Sequence, residues 1–168
     1  MSRAQLTLVL GGARSGKSRY AEGLIADLPP PWTYIATAQA WDNEMRERVA
    51  IHRSRRGSDW RTVEEPVELP NALAAARGPV LVDCLTLWLT NLMLGNHDLA
   101  GAFAALEAAL VEAAGPVVLV SNEVGLGIVP DNALARAFRD EQGRLNQRMA
   151  ALAGHVVFMA AGLPMVLK

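Results

Sequence analysis

The sequence has little of what marks secreted, membrane-spanning or nucleic-acid-binding proteins. Its 168 residues include a single cysteine, Cys84, so no internal disulfide can form, and we expect a reducing, cytoplasmic environment. No apolar run approaches the roughly 20 residues that a membrane-spanning helix needs, so we expect no membrane insertion. The formal net charge is −1, which provides no basic field to attract nucleic acid, and we expect no nucleic-acid partner.

The remaining pattern is that of one globular domain, residues 1–168, in which 51% of the residues are apolar and 20% are charged. Five short runs are almost continuously apolar, which is typical of strands buried on both faces of a parallel sheet. These runs cover residues 6–10, 33–36, 80–82, 117–121 and 156–159, and residues 165–167 can add an edge strand.

Between these runs the sequence predicts helices at residues 17–28, 42–56, 85–94 and 98–114. A last, long helix is opened by residues 130–132 and ended by Gly154. Strands that alternate with helices in this way predict a three-layer α/β fold with a mostly parallel sheet.

The first apolar run leads into a glycine-rich loop, residues 11–18, that matches G-x-x-x-x-G-K-[ST] in full. Glycines let backbone N–H groups approach phosphate oxygens closely. Lys17 would place its charge on the β- and γ-phosphates, and Ser18 would offer a hydroxyl to Mg²⁺. Because removal of an N-terminal signal would destroy this site, we expect none. The loop consists of Gly11, Gly12, Ala13, Arg14, Ser15, Gly16, Lys17 and Ser18.

An acidic residue, Asp83, ends the apolar run at residues 80–82. In phosphate-loop enzymes a carboxylate at such a strand end holds Mg²⁺ directly or through water. The alternative is an aspartate that caps the helix beginning near Thr86. The position alone does not separate the two, but the nearby glycine loop favours the Mg²⁺ site.

A second cluster lies on the predicted helix at residues 42–56, where a histidine ends an apolar stripe and arginines follow it. The stripe is Trp41, Met45, Val49 and His52, and the arginines are Arg53, Arg55 and Arg56. Spacing alone favours a core histidine beside a solvated helix end. The alternative is a nucleophile, whose neutral imidazole attacks phosphorus while arginines stabilise the developing charge.

Six segments carry a resemblance to a known family, and together they cover essentially the whole chain. They are the glycine loop, Tyr34 to Ala38, His52-Arg53 with Trp60 to Pro66, Val82 to Thr86, Val120 to Pro130 and Gly143 to Gln147. The glycine loop is shared by many families, whereas the His-Arg pair and the run Ser-Asn-Glu-Val-Gly-Leu-Gly-Ile-Val-Pro are far more specific. In these segments the sequence resembles the bifunctional adenosylcobinamide kinase/adenosylcobinamide-phosphate guanylyltransferase family of cobalamin biosynthesis.

The resemblance implies a RecA-like P-loop NTPase fold, a homotrimer and two reactions. In the first, ATP or GTP phosphorylates the aminopropanol hydroxyl of adenosylcobinamide. In the second, GTP guanylylates a histidine, which is His52 by position, and GMP passes to adenosylcobinamide phosphate to give adenosylcobinamide-GDP. The implied cofactors are GTP, ATP and Mg²⁺, with Lys17 and His52 catalytic and with Ser18 and Asp83 at the metal. Beyond the loop, the nucleotide contacts carried over are Ala36, Thr37, Ala38, Arg53, Ser54, Arg55, Arg56, Glu64 and Asp83.

Other interpretations of the same residues stay open. The chain could be an ordinary P-loop kinase for another small hydroxyl substrate, with His52 structural, or a non-catalytic nucleotide switch. A RecA-type nucleic-acid motor is disfavoured because the chain is short and not basic.

Two further groups of polar residues have less specific signals. Asn122 and Glu123 follow an apolar run at the carboxyl edge of the sheet, where ligands bind, although a flexible glycine loop is the alternative. For Arg144, Asn146 and Arg148 a solvated helix face is the favoured interpretation.

Overall fold

The apolar runs pair into one sheet in the computed structural model, which describes residues 5–39, 46, 47, 50, 54 and 56–168. The strands are β1 (Leu6–Gly11), β2 (Trp32–Ala36), β3 (Trp60–Glu64), β4 (Val80–Asp83), β5 (Val117–Asn122), β6 (His155–Ala160) and β7 (Leu163–Val166). Their order across the sheet is β3-β2-β4-β5-β1-β6-β7. Every neighbouring pair is parallel except β6 with β7, which confirms the predicted mostly parallel sheet.

The described helices are α1 (Lys17–Ala26), α2 (Leu69–Ala75), α3 (Leu85–Leu94), α4 (Leu99–Val111) and α5 (Ala133–Leu152). At the start of α5, the Asn132 side chain accepts a hydrogen bond from the Ala135 N–H at 2.7 Å. Asp98 occupies the same position before α4 but makes no such bond. Among the described residues, no helix combines the length and apolar character needed to cross a bilayer.

The two faces of the sheet carry different helices. Adjacent residues of β1 point to opposite faces, and both Leu8 and Val9 are fully buried. Leu8 packs in the cluster that α2 to α5 cover, which includes Trp88, and Val9 packs in the smaller cluster that α1 covers through Ile25. The result is the predicted three-layer arrangement, in which each buried aliphatic side chain stabilises the fold by about 1.5–3 kcal/mol.

The sequence did not predict two of these elements. In β3, Arg61 and Glu64 are exposed, so this edge strand lacks the continuous apolar character of the central strands. Helix α2 has seven residues and a proline in its first turn, which is too short for a clear helical period. The predicted helix at residues 42–56 lies mostly outside the described residues; of those described within it, Arg46, Glu47, Ala50 and Ser54 are helical and Arg56 is not.

The carboxyl ends of the central strands meet at one edge of the sheet. In register, Gly11 of β1 pairs with Asn122 of β5, and Asp83 of β4 pairs with both Val120 and Ala36. The glycine loop, Asp83 and the residues after β2 and β5 therefore gather at this edge, where open α/β sheets bind ligands.

Candidate active site

The glycine loop joins β1 directly to α1 and requires glycine for steric reasons at two positions. A Cβ atom at Gly11 would lie 2.6 Å from Ser15 Oγ and 2.7 Å from the carbonyl oxygen of Met159. Gly16 precedes α1 with a φ of 93°, which side chains rarely adopt. The loop also rests on the β6–β7 turn, where the Gly162 N–H donates to the Ser15 carbonyl at 3.0 Å.

The loop borders a cleft of about 440 Å³. The cleft is lined by Arg14, Ser15, Gly16, Lys17, Ser18, Arg19, Glu22 and Arg56. Four of the eight lining residues are basic, and the N-terminus of α1 opens into it, so the cleft suits a polyanionic ligand such as a nucleoside triphosphate.

Lys17 holds its charge over the glycine loop. The side chain is 7% exposed, and its ammonium group donates to the Gly12 carbonyl and to Ser15 Oγ. Burial lowers the pKa of Lys17 below its ordinary value, while the negative charge of Asp83 acts in the opposite direction.

Asp83 is held by a tyrosine from the neighbouring strand. The Tyr34 hydroxyl donates to Asp83 Oδ2 at 3.0 Å. Burial, and then the Asp83 charge, raise the pKa of Tyr34 far above its ordinary value, so the phenol stays protonated and donates. The capping interpretation of Asp83 is wrong, because Cys84 stands at the N-cap of α3 and no side chain caps this helix.

The donor set at this edge fits Mg²⁺ better than a metal held by protein ligands alone. Among the described residues no three His, Cys, Asp or Glu side chains are grouped to hold an ion. Mg²⁺ commonly takes one or two protein oxygens and completes its shell with water and substrate phosphates. Ser18 at the start of α1 and Asp83 at the end of β4 carry oxygens of this kind and could hold such an ion.

Thr37 follows β2 but is fully buried, and its hydroxyl is engaged in both directions. It accepts from the Cys84 N–H at 2.9 Å and donates to the Cys84 carbonyl at 2.6 Å. Asn91 of α3 donates to the Thr37 carbonyl at 2.8 Å and to the Pro66 carbonyl at 2.9 Å. These bonds tie together the chain segments that follow β2, β3 and β4, a role for Asn91 that the sequence did not indicate.

Arg56 reaches the cleft from the segment before β3. Its guanidinium carbon lies 3.2 Å from the centre of the Tyr34 ring, and its side chain is 7% exposed. Of the other predicted nucleotide contacts, Ala36 is buried, Ala38 is half-buried, and Ser54 and Glu64 are exposed. The predicted nucleophile and its two neighbouring arginines, namely His52, Arg53 and Arg55, lie outside the described residues.

A buried polar cluster supports the carboxyl end of β5. Ser121 Oγ donates to Asn146 Oδ1 at 2.6 Å, and the Gln142 amide donates to the same two oxygens at 2.9 and 3.0 Å. Asn146 in turn donates to the Asn122 carbonyl at 3.1 Å, and the Thr86 hydroxyl accepts from the Asn122 N–H at 2.8 Å. The backbone at Asn122 is therefore fixed from two helices, at the edge where the sequence placed it.

The predicted solvated face of the last helix is correct for Arg144, wrong for Asn146 and correct only in part for Arg148, whose side chain is 36% exposed. Arg144 is exposed and pairs with Glu141. Asn146 is only 6% exposed, and Arg148 donates two hydrogen bonds to Glu107 of α4. Polar residues on a helix can face buried polar partners as well as water, which the spacing does not distinguish.

Comparison with known proteins relates the whole chain to one enzyme family. The family model described as cobinamide kinase/cobinamide phosphate guanyltransferase matches residues 7–167. The bifunctional adenosylcobalamin biosynthesis protein CobP of Pseudomonas aeruginosa is 53% identical over an alignment of 166 positions that covers 96% of each chain. CobU of Salmonella typhimurium, which carries the same description, is 42% identical over 97% of this chain and 99% of its own.

A structural comparison addresses the fold alone. A solved ATPase domain superposes with a TM-score of 0.50 over 94% of this chain and 70% of that chain, at 13% sequence identity. This likeness supports the predicted RecA-like P-loop fold.

Proposed function

This chain belongs to the cobinamide kinase/cobinamide phosphate guanyltransferase family, and we propose that it catalyses both reactions in succession. It would phosphorylate adenosylcobinamide with ATP or GTP and then transfer GMP from GTP to the new phosphate, giving adenosylcobinamide-GDP. The observation that carries the proposal is that Lys17 and Arg56 line one cleft beside the glycine loop, while Asp83 accepts a hydrogen bond from Tyr34, the residue that also contacts Arg56.

The kinase step forms a bond between the acceptor oxygen and the γ-phosphorus, breaks the bridge to the β-phosphate, and releases the nucleoside diphosphate and the hydroxyl proton. Lys17 and the backbone N–H groups of the loop would hold the triphosphate and offset its charge. Ser18 and Asp83 would hold Mg²⁺, whose charge neutralises the phosphate oxygens. Positioning and charge are sufficient for this step, since it needs no covalent intermediate.

The transferase step breaks a different bond of the nucleotide. A ring nitrogen of His52 would attack the α-phosphorus of GTP and displace pyrophosphate, leaving a guanylylated histidine. A phosphate oxygen of the corrinoid would then attack the same phosphorus and release the histidine. Arg53, Arg55 and Arg56 would stabilise the charge on the α-phosphate, and Arg56 lines the cleft beside Lys17.

The proposal includes the remaining features that the sequence indicated. Residues 1–168 would form one cytoplasmic catalytic domain, and the nucleotide contacts would extend to Ala36, Thr37, Ala38, Ser54 and Glu64. Since the side chain of Thr37 is engaged by Cys84, its contribution would be to place the chain after β2 rather than to contact the nucleotide by its hydroxyl.

A homotrimer is also part of the proposal, and exposed apolar surface supports it. Between α3 and α5 lies an apolar cleft of about 370 Å³ whose lining includes Met93, Leu94, Leu134 and Phe138. Leu94 and Leu134 are 65% and 58% exposed. A second copy of the chain would remove this surface from water.

GTP labelled at the α-phosphate tests the transferase step without any acceptor. We expect acid-labile, base-stable label on the wild-type protein and one pyrophosphate released per label. His52→Ala should abolish labelling and retain phosphorylation of adenosylcobinamide by γ-labelled nucleotide. The matched control is His97→Ala, because His97 is an exposed histidine elsewhere on the chain.

The outcomes separate the competing functions. No label on the wild-type protein, with phosphorylation intact, would leave a kinase and remove the transferase step. Equal loss of both activities in a folded His52→Ala protein would contradict separate roles. Nucleotide binding without turnover on any hydroxyl acceptor would favour a switch.

A further inference from the structure

Tyr34 contacts two parts of the site through two different parts of its side chain. Its hydroxyl donates to Asp83 Oδ2 at 3.0 Å, and its ring lies 3.2 Å from the guanidinium carbon of Arg56. Tyr34 is 7% exposed and belongs to strand β2, so both contacts are made from a rigid, buried position.

The hydroxyl contact constrains the carboxylate at the end of β4. A carboxylate after a strand can rotate, and a hydrogen bond to one of its oxygens restricts that rotation. Because Tyr34 takes Oδ2, the orientation of the other oxygen, Oδ1, is restricted as well. That oxygen is the one left to take a cation or one of its waters.

The ring contact constrains the guanidinium. Glu22 Oε1 lies 3.8 Å from Arg56 Nε, beyond hydrogen-bond distance, and the bond from Arg56 Nη1 to Thr62 Oγ1 is long at 3.4 Å. Stacking on the Tyr34 ring is therefore the closest of these contacts. It holds a planar charged group at the wall of the nucleotide cleft.

We propose that Tyr34 is a positioning residue with two separable parts: its hydroxyl sets Asp83 for the divalent cation, and its ring sets Arg56 for the triphosphate. This inference rests on the proposed function in one respect, namely that Asp83 serves the cation. A single buried side chain then links the metal side of the cleft to the arginine side.

Two substitutions separate the parts. Tyr34→Phe removes the hydroxyl and keeps the ring under Arg56, whereas Tyr34→Leu removes both. Tyr20→Phe is the matched control, since Tyr20 is the only other tyrosine and lies half-buried on α1. Arg56→Lys removes the planar stack and keeps the charge, without any change at Tyr34.

The measurement is calorimetric binding of a non-hydrolysable GTP analogue, with Mg²⁺ and with chelator. For Tyr34→Phe we expect the factor by which Mg²⁺ increases the affinity for the analogue to fall about tenfold, while the affinity measured with chelator stays unchanged. For Tyr34→Leu and Arg56→Lys we expect metal-free affinity to fall about fivefold. Circular dichroism and thermal unfolding confirm that each variant is folded.

Each arm has a result that overturns it. If Mg²⁺ increases the affinity of Tyr34→Phe as much as that of the wild type, the role proposed for the hydroxyl is wrong. The same conclusion follows if Mg²⁺ does not change the affinity of the wild-type protein. If Arg56→Lys binds the analogue without metal as tightly as the wild type does, the role proposed for the ring is wrong, even if Tyr34→Leu does not fold. Since the assay contains no corrinoid, failure of the proposed kinase or transferase reaction would be seen separately.

Discussion

Two glycine-containing loops follow neighbouring strands at the same edge of the sheet, and they are built differently. The loop from β1 to α1 packs on its own chain, with Ser15 and Lys17 only 9% and 7% exposed. The loop from β5 to α5 carries apolar side chains in water, with Leu126 and Ile128 82% and 96% exposed. The side chains of the first loop are therefore buried by the rest of the same chain, whereas the second loop exposes apolar side chains that a ligand or a partner could cover.

One glycine from each loop, Gly11 and Gly127, shows the same contrast. At Gly11 a Cβ atom would meet Ser15 and Met159 at 2.6 and 2.7 Å, so the folded chain itself requires glycine. At Gly127 a Cβ atom would meet nothing within 4 Å. Gly11 thus has a steric cause within the chain, whereas Gly127 has none; a Cβ at Gly12 would also be unobstructed, and one at Gly125 would meet only the Glu123 carboxylate, at 2.9 Å.

The largest expected effect is in the first loop, for Lys17→Ala. We expect phosphorylation and guanylylation both to fall about 10³-fold, because a charge that stabilises the transferring phosphate is lost from a water-poor site. Single-turnover assays with γ- and α-labelled GTP measure the two steps. The control is Lys168→Ala, the only other lysine, whose ammonium donates to the Ala150 and Ala151 carbonyls at the surface. Near-wild-type turnover of Lys17→Ala would remove this loop from catalysis.

Alanine at one glycine of each loop tests the steric difference. We expect Gly11→Ala to lower the free energy of unfolding by about 2 kcal/mol, because Ser15 and the Met159 backbone must move. Gly127→Ala should change it by less than about 0.5 kcal/mol. Urea unfolding followed by circular dichroism measures both, and equal losses would show that the loops do not differ in this way.

A polar substitution at Ile128 tests what covers the second loop. We expect Ile128→Ser to leave the unfolding free energy of the isolated chain unchanged and to weaken assembly of the proposed trimer about tenfold. Light scattering over a concentration series measures the assembly. Val166→Ser serves as control, because Val166 is also exposed, at 64%, but lies on the edge strand β7. Unchanged assembly would assign the exposed loop to some contact other than a second copy.

The smallest expected effect concerns the C-terminal half of α5, where Arg148 pairs with Glu107 of α4. The hydrogen bonds from Arg148, at 2.6 and 2.8 Å, lower the pKa of Glu107 below its ordinary value of 4.5. The pair therefore stabilises the fold at neutral pH, and its contribution is lost as the pH falls through that lowered pKa. Because both side chains are about a third exposed, we expect Glu107→Gln to cost less than about 1 kcal/mol.

Urea unfolding at about pH 7 and about pH 3 measures this contribution. The difference between wild type and Glu107→Gln should shrink in acid, and Glu112→Gln at the exposed end of the same helix is the control. A difference that grows in acid would contradict the sign of the pKa shift.

The central strands and the phosphate loop could be predicted because neighbouring residues specify them. Leu8 and Leu119 are fully buried within apolar runs, and the glycine pattern is contiguous. In the edge strand β3, by contrast, exposed Arg61 and Glu64 interrupt the pattern, and only pairing with β2 defines the strand.

The contacts that complete the site join residues distant in sequence, and local patterns do not contain them. Tyr34 and Asp83 lie on different strands, and Asn146 reaches Ser121 from a helix whose polar residues were expected in water. His52 shows the converse, because resemblance identifies it while spacing alone favoured a core residue. Its role as nucleophile stays a prediction.

The turn between β6 and β7 contacts the phosphate loop but is synthesised long after it. The Gly162 N–H donates to the Ser15 carbonyl, and a Cβ atom at Gly16 would lie 3.2 Å from the Cα of Gly162. During synthesis the glycine motif leaves the ribosome early, whereas this turn follows nearly all of the sheet. A nascent chain therefore carries the motif without the support that shapes it, and should not bind or turn over GTP until its last strands have paired.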